Sequence, residues 1–331
     1  MKKNLIALAV LAASGAAFAQ SSVTVYGTVD EAFAHTTASG AQSQNLLVSG
    51  GVSTSNFGFK GTEDLGGGLK ANFKLEQGIN VDTGAQGTAG LAFNRYSYVS
   101  LSGGFGEIKF GKTGTAYDDI SGAADAAFNA NALGLVANLF DSHTGYNWNP
   151  ANSIYYATPE MSGFSGAFSY TLGENKTAAA DAGSTSSIHI KYAAGPVFAG
   201  FAYQTEKATG NALSQEFTRL NGSYDLKVAK VQVAYGRVAN AGLVSGAEVT
   251  EWEIGADYPV SSALTLSGGF ARSSDNVLAG DQTRKGYTLA AAYSLSKRTT
   301  AYAGYLSTKT NQAGVADTDA SVLAFGVKHT F

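Results

Sequence analysis

Downstream of the first twenty residues, this chain alternates apolar and polar side chains with a period of two almost without interruption. In "GFSGAFSYTLG", Phe164, Phe168, Tyr170 and Leu172 fall on one face and Ser165, Ala167, Ser169 and Thr171 on the other. In "SIHIKY", Ile188, Ile190 and Tyr192 oppose His189 and Lys191. "EWEIGADY" sets Trp252, Ile254, Ala256 and Tyr258 against Glu251, Glu253 and Asp257, and "LKANFKLEQ" sets Leu69, Ala71, Phe73 and Leu75 against Lys70, Asn72, Lys74 and Glu76. Only an extended strand places residues i, i+2 and i+4 on one face, so each stretch reads as a strand with one apolar and one polar surface. The 41 glycines, 17 tyrosines and 18 phenylalanines suit β-structure with many turns better than helices.

The connections alternate as well. Short ones, such as "EDLGGG" (63–68), Gly103-Gly104, "PEMSG" (159–163) and "PVSS" (259–262), are separated by longer segments near 36–51, 80–91, 113–150, 174–184, 207–215, 241–248, 275–282 and 310–319. This pattern predicts sixteen strands, seven short turns and eight long loops, in one domain over residues 20–331. Strands of about ten residues with turns at one end and long loops at the other are the pattern of an antiparallel transmembrane β-barrel. Lipid satisfies no backbone N–H or C=O group, so a sheet that crosses a bilayer must close on itself. A soluble β-sandwich also alternates, but its loops would be short at both ends. The start "MKKNLIALAVLAASGAAFAQ" reads as a signal peptide over 1–19, with Lys2 and Lys3, an apolar run and an Ala17-Phe18-Ala19 cleavage site. Its removal leaves 20 basic against 25 acidic residues, a net charge of −5. The final strand, "SVLAFGVKHTF", ends on Phe331, a candidate assembly signal.

Other chemistries find little support. "GEIKFGKT" (106–113) satisfies the P-loop pattern G-x-x-x-x-G-K-[ST], but its middle four residues alternate as a strand and no amphipathic helix follows. The weak acidity argues against a nucleic-acid partner. There are no cysteines, and the four histidines lack metal-ligand spacing. Asp118-Asp119 and Asp141-Ser142-His143 are adjacent in sequence, which by itself defines no catalytic geometry. No catalytic residue, cofactor or metal is expected. A receptor or adhesin barrel, or a membrane-embedded hydrolase, is the competing reading; the first needs a plug or a much larger loop, and the second an acidic or Ser/His cluster at the rim.

The blocks "VTVYGTVD", "GFKGTEDLGGGLKANFKLE", "FNRYSYVSLSGGFGEIKFGK", "NSIYYATPEMSGFSGAFSY" and the terminal "GVKHTF" resemble the general diffusion porins of Gram-negative outer membranes. The resemblance runs the whole length after the signal. It implies a homotrimer in outer-membrane lipid and lipopolysaccharide, inserted by the barrel assembly machinery and passed by small hydrophilic solutes and ions. It also implies that the third long loop, 113–150, folds inward and narrows the pore. On the family's pattern Asp118, Asp119 and Asp125 form the acidic side of that constriction, and Arg95 belongs to the basic wall. Alternation places Lys60 and Lys74 on the lumen face. Asn56 and Tyr155 stand where relatives carry basic residues, and Lys112 where arginine is common. With the basic cluster thinned in this way, the expectation is weak charge selectivity with a mild preference for cations.

Overall fold

The computed structural model describes residues 22–210, 213–276 and 281–331, so the signal-peptide reading of 1–19 lies outside the described residues. The strands are β1 (Ser22–Ala38), β2 (Gln44–Ser49), β3 (Asn56–Gly66), β4 (Leu69–Asn80), β5 (Ala85–Gln86), β6 (Tyr96–Gly103), β7 (Gly106–Lys112), β8 (Ser153–Ala157) and β9 (Phe164–Thr171). They continue as β10 (Ser184–Ala194), β11 (Val197–Lys207), β12 (Ser214–Asp225), β13 (Lys230–Ala239), β14 (Glu248–Pro259), β15 (Leu264–Asp275), β16 (Gln282–Ser294), β17 (Thr299–Gln312) and β18 (Thr318–Thr330). Successive strands pair antiparallel, and β18 pairs back onto β1 with Thr28 opposite Thr330. Because β2 and β3 occupy one position beside β1, and β5 lies in a loop, the result is a closed barrel of sixteen strands. Closure leaves no unpaired edge.

The two faces divide as the alternation requires. Val25, Ile190, Ile254, Leu289 and Phe325 point outward and are 54–63 % exposed, in an apolar surface that runs round the wall. A band of this kind has no place on a soluble monomer, where contiguous apolar patches stay within a few hundred Å²; hydrocarbon is its natural solvent. Lys74, Glu76, Lys109, Lys191 and Glu251 occupy the opposite, lumen-facing register. The "GEIKFGKT" stretch is β7 itself, with Gly106 paired to Gly103 across a hairpin, which removes the P-loop reading.

One loop differs from the sequence expectation. The connection placed at 36–51 shrinks to 39–43, because β1 and β2 continue as a paired hairpin. The interruption moves to residues 50–55, where the second barrel strand folds inward around Asp30. The Asp30 carboxylate accepts the Val52 and Ser53 N–H groups at 3.0 and 2.7 Å and the Tyr302 hydroxyl at 2.5 Å. Gly50 takes φ +81, and a Cβ on Gly51 would overlap the Tyr302 hydroxyl. Glycine is required there by close approach, a constraint that alternation cannot reveal.

Candidate functional site

The third long loop runs from Lys112 to Ser153 and lies inside the barrel. It contains four short helical turns, Asp118–Ser121, Ala126–Asn129, Leu135–Leu139 and Asp141–Thr144. Its apolar side chains Leu133, Leu135, Val136, Leu139 and Phe140 are all at most 2 % exposed and pack on Ala234, Ala271, Ala290 and Ala324 of the wall. Small lumen residues make this seat possible. A Cβ at Gly304 would meet Leu133 at 2.7 Å, and one at Gly269 would meet Ala126 at 2.8 Å. The protein's apolar core is therefore in the lumen, in one cluster between this loop and β13–β18 with β1, and a second that packs Tyr117, Ile120 and Tyr146 on β11–β14.

Polar contacts fix the loop where packing alone would let it slide. Wall carboxylates accept its backbone N–H groups: Glu253 takes Ala126 at 2.8 Å, and Glu251 takes Asp141 and Ser142 as well as the Ser142 hydroxyl. Arg284 pairs with Asp141 at 2.7 Å. Ala127, Phe128 and Asn129 all have φ between 52 and 67, left-handed backbone that costs non-glycine residues roughly 1–3 kcal/mol each. The Ala127 N–H donates to Ser267 Oγ at 2.8 Å within this strained segment. At its tip, Asn131 Nδ2 donates to Gly50 O at 2.9 Å and Ala132 N–H to Gly51 O at 3.0 Å. The break in the second barrel strand is thus the catch for the loop tip.

Asp118 and Asp119 stand on the lumen side of this loop. Tyr146 donates to Asp118 Oδ1 at 2.6 Å, and Tyr155 to Asp119 Oδ2 at 2.6 Å. His189 Nδ1 lies 3.4 Å from the same Asp119 oxygen and 2.7 Å from Ala116 O. Burial pushes the Asp118 carboxyl up to about 6, against the Tyr146 hydrogen bond, which favours the ionised form. Burial also raises Asp119, opposed by Tyr155 and by the charges of His189, Lys109 and Lys191.

The basic strip is laid along β3, β4, β6 and β7 on a row of tyrosines. Lys60 Nζ lies 5.0 Å from the Tyr26 ring, Lys74 Nζ 3.7 Å from Tyr96, and Lys109 Nζ 4.3 Å from Tyr155. Arg95 stacks 5.2 Å from Trp148 and donates through Nε to Glu76 at 2.7 Å. Lys74 contacts the other Glu76 oxygen at 3.1 Å, which also accepts Tyr26. One buried carboxylate therefore holds two cations in place, and Lys109 has Glu107 at 3.6 Å.

The lumen brings together Asp118, Asp119, Arg95, Lys60, Lys74 and Tyr155. Asn56 shares the lumen register, opposite Gly78 and Thr28, with its amide turned to Thr54 O at 2.9 Å. Phe331 closes the barrel seam through reciprocal backbone bonds with Gly27 at 3.1 and 3.2 Å. Asp125 is a correction. Expected on the acidic edge, it is 3 % exposed and turned into the loop, where its carboxylate accepts the Leu135 and Val136 N–H groups at 2.9 and 3.1 Å. A short acid near a chain reversal satisfies local backbone donors before it can reach solvent. Lys109 and Lys191 were the residues not singled out from sequence. Alternation in "SIHIKY" sets Lys191 on the polar face of its strand, and the same parity applied to "EIKF" would have found Lys109.

A closed sixteen-stranded barrel, apolar outside and charged inside, with one loop folded across its lumen, defines a class of membrane channel. The chain belongs to the Gram-negative porin family, whose model matches residues 6–313. It is 36 % identical to outer membrane porin protein 32 of Delftia acidovorans over all of this chain and 94 % of that protein. It is 27 % identical to an outer membrane porin protein of Bordetella pertussis over the full length of both. Among solved structures, the anion-selective porin from Comamonas acidovorans superposes with a TM-score of 0.81 at 29 % identity, covering 94 % of this chain and all of that one. A trimer form of Vibrio cholerae OmpT shares the fold at 16 % identity and a TM-score of 0.69, covering 94 % of this chain and 99 % of that one. The protein is an outer-membrane diffusion channel, and its work involves no chemical step.

Proposed function

We propose that this channel favours small hydrophilic anions, which reverses the mild cation preference expected from sequence. The observation that carries the reading is the charge balance at the narrowing. Five cations, Lys60, Lys74, Arg95, Lys109 and Lys191, face four carboxylates, Glu76, Glu107, Asp118 and Asp119. Glu76 is buried beneath two of those cations, and the loop acids hold their protons more tightly than free carboxyls do. Asp125, counted from sequence as a pore charge, contributes none to the open lumen. Rings of Lys and Arg favour anions, while carboxylate rings favour cations. The structural relative described as an anion-selective porin supports the same sign.

The working unit is a homotrimer, surrounded by outer-membrane lipid and lipopolysaccharide. The barrel assembly machinery inserts it through the Phe331 end, after export on residues 1–19. Asp118 and Asp119 with Tyr155 form one edge of the constriction, and the lysine–tyrosine strip with Arg95 forms the other. Reversal potential in a KCl gradient across a planar bilayer tests the selectivity. An anion-favouring potential that strengthens at low salt is expected; a cation-favouring one would show that the loop acids dominate.

A further inference from the structure

The basic wall of the constriction is as aromatic as it is cationic. Tyr26, Tyr96, Tyr98 and Trp148 are all half-buried there. Tyr96 stands edge to face with Tyr98 at 6.3 Å and with Trp148 at 5.8 Å between ring centroids. A cation lies over each of these rings: Lys60 over Tyr26, Lys74 over Tyr96, Lys109 over Tyr98 at 5.4 Å and Arg95 over Trp148. The cations thus occupy ring faces, and edges and hydroxyl ends are left for a solute to meet. Tyr26 and Tyr155 commit their hydroxyls to Glu76 and Asp119, whereas those of Tyr96 and Tyr98 donate to no acceptor among the described residues.

The same wall is short of negative charge at one point. Lys60 stands directly opposite Lys74 across β3 and β4, and Lys74 opposite Tyr98 across β4 and β6. Like charges placed opposite each other on neighbouring strands repel. Glu76 neutralises Lys74 and Arg95, but among the described residues no carboxylate lies within ion-pairing distance of Lys60. A recess of about 300 Å³ opens beside Lys60, Lys74 and Tyr98, lined also by Thr24, Thr62 and Asn72. Small-molecule sites start at about 300 Å³, so the recess suits a solute of one ring. A carboxylate there accepts from both ammonium groups. A planar ring attached to it lays its electron-rich face on the electropositive edge of Tyr98, an arrangement that aromatic pairs prefer. A sugar gains less, because it stacks on open ring faces and a cation already lies over each ring.

We infer that, among anions, the channel selects aromatic carboxylates, held with the carboxylate between Lys60 and Lys74 and the ring against Tyr98. The inference rests on the anion reading and adds the class of anion. Block of single-channel current in a planar bilayer tests it, with benzoate, cyclohexanecarboxylate and benzyl alcohol as probes. Benzoate should half-block at a concentration about 3- to 10-fold below that of cyclohexanecarboxylate, the range that one aromatic pair supplies. Cyclohexanecarboxylate has the same charge and the more apolar ring, so simple apolar contact would reverse the order. Benzyl alcohol, a ring without charge, should not block at the concentrations where benzoate does. Tyr98→Leu should lose the preference for benzoate. Equal block by the two carboxylates in the wild type, block by benzyl alcohol to match benzoate, or a benzoate preference that survives in Tyr98→Leu would each overturn the inference. Reversal potential in a KCl gradient on the same membranes separates the two levels: a cation-favouring potential sinks the anion reading itself, whereas an anion-favouring one with equal block by both carboxylates sinks only the aromatic class.

Discussion

Tyr155→Phe removes one hydroxyl and leaves the ring that supports Lys109. In the wild type that hydroxyl donates to Asp119 Oδ2 at 2.6 Å, while Lys109 Nζ sits 4.3 Å from the ring. A hydrogen bond to a charged group contributes about 1.5–3 kcal/mol. At 1.36 kcal/mol per pKa unit, its loss should raise the Asp119 carboxyl by about 1–2 units above its already elevated position. The sign follows from which form the bond favours. Tyr155 stabilises the carboxylate, so the variant holds its proton to higher pH, and the constriction becomes more positive there. Wild-type anion preference should rise as pH falls through about 6, where Asp118 takes its proton. In Tyr155→Phe the Asp119 part of that rise should move upward by about one to two pH units. The assay is reversal potential against pH at low salt, with Tyr156→Phe as control, since that hydroxyl donates to Phe105 O on the outward side. An unchanged pH profile in Tyr155→Phe would refute the assignment of Asp119 as a charge seen by permeating ions.

Lys109→Gln should move the reversal potential toward cations, and the shift should shrink between 0.1 M and 1 M salt as the screening length falls from about 10 to 3 Å; a salt-independent shift would point to a structural cause. Deleting 118–140 should enlarge single-channel conductance and admit larger sugars, and an unchanged exclusion limit would show that the loop is not the narrowest point. Glu251→Gln replaces an acceptor of three donors from Asp141 and Ser142 with an amide that matches fewer of them. A loss of about 1–3 kcal/mol in loop anchoring is expected, read as flickering in single-channel current, and a quiet trace would show that apolar packing holds the loop unaided.

The period-two alternation by itself determined that the chain is a barrel of sixteen strands, which face is apolar, and that Lys60, Lys74, Lys109 and Lys191 share the lumen. Side-chain direction along a strand depends only on parity, so these properties are local and survive in a one-dimensional reading. The length of the third loop likewise announced an unusual segment. What alternation could not supply was where that loop goes, because its path is set by residues distant in sequence. The small lumen residues Gly269 and Gly304 make room for it, Glu251 and Glu253 catch its N–H groups, and Gly50 and Gly51 receive its tip. The same holds for Asp125, which looks like a pore acid beside Asp118 and Asp119 until Leu135 and Val136 fold back onto it. Glu76 reads as one more lumen acid, yet it lies beneath Lys74 and Arg95 and fastens both. Charge at a constriction depends on which carboxylates remain open to the pore after such contacts form, and only the tertiary structure decides that.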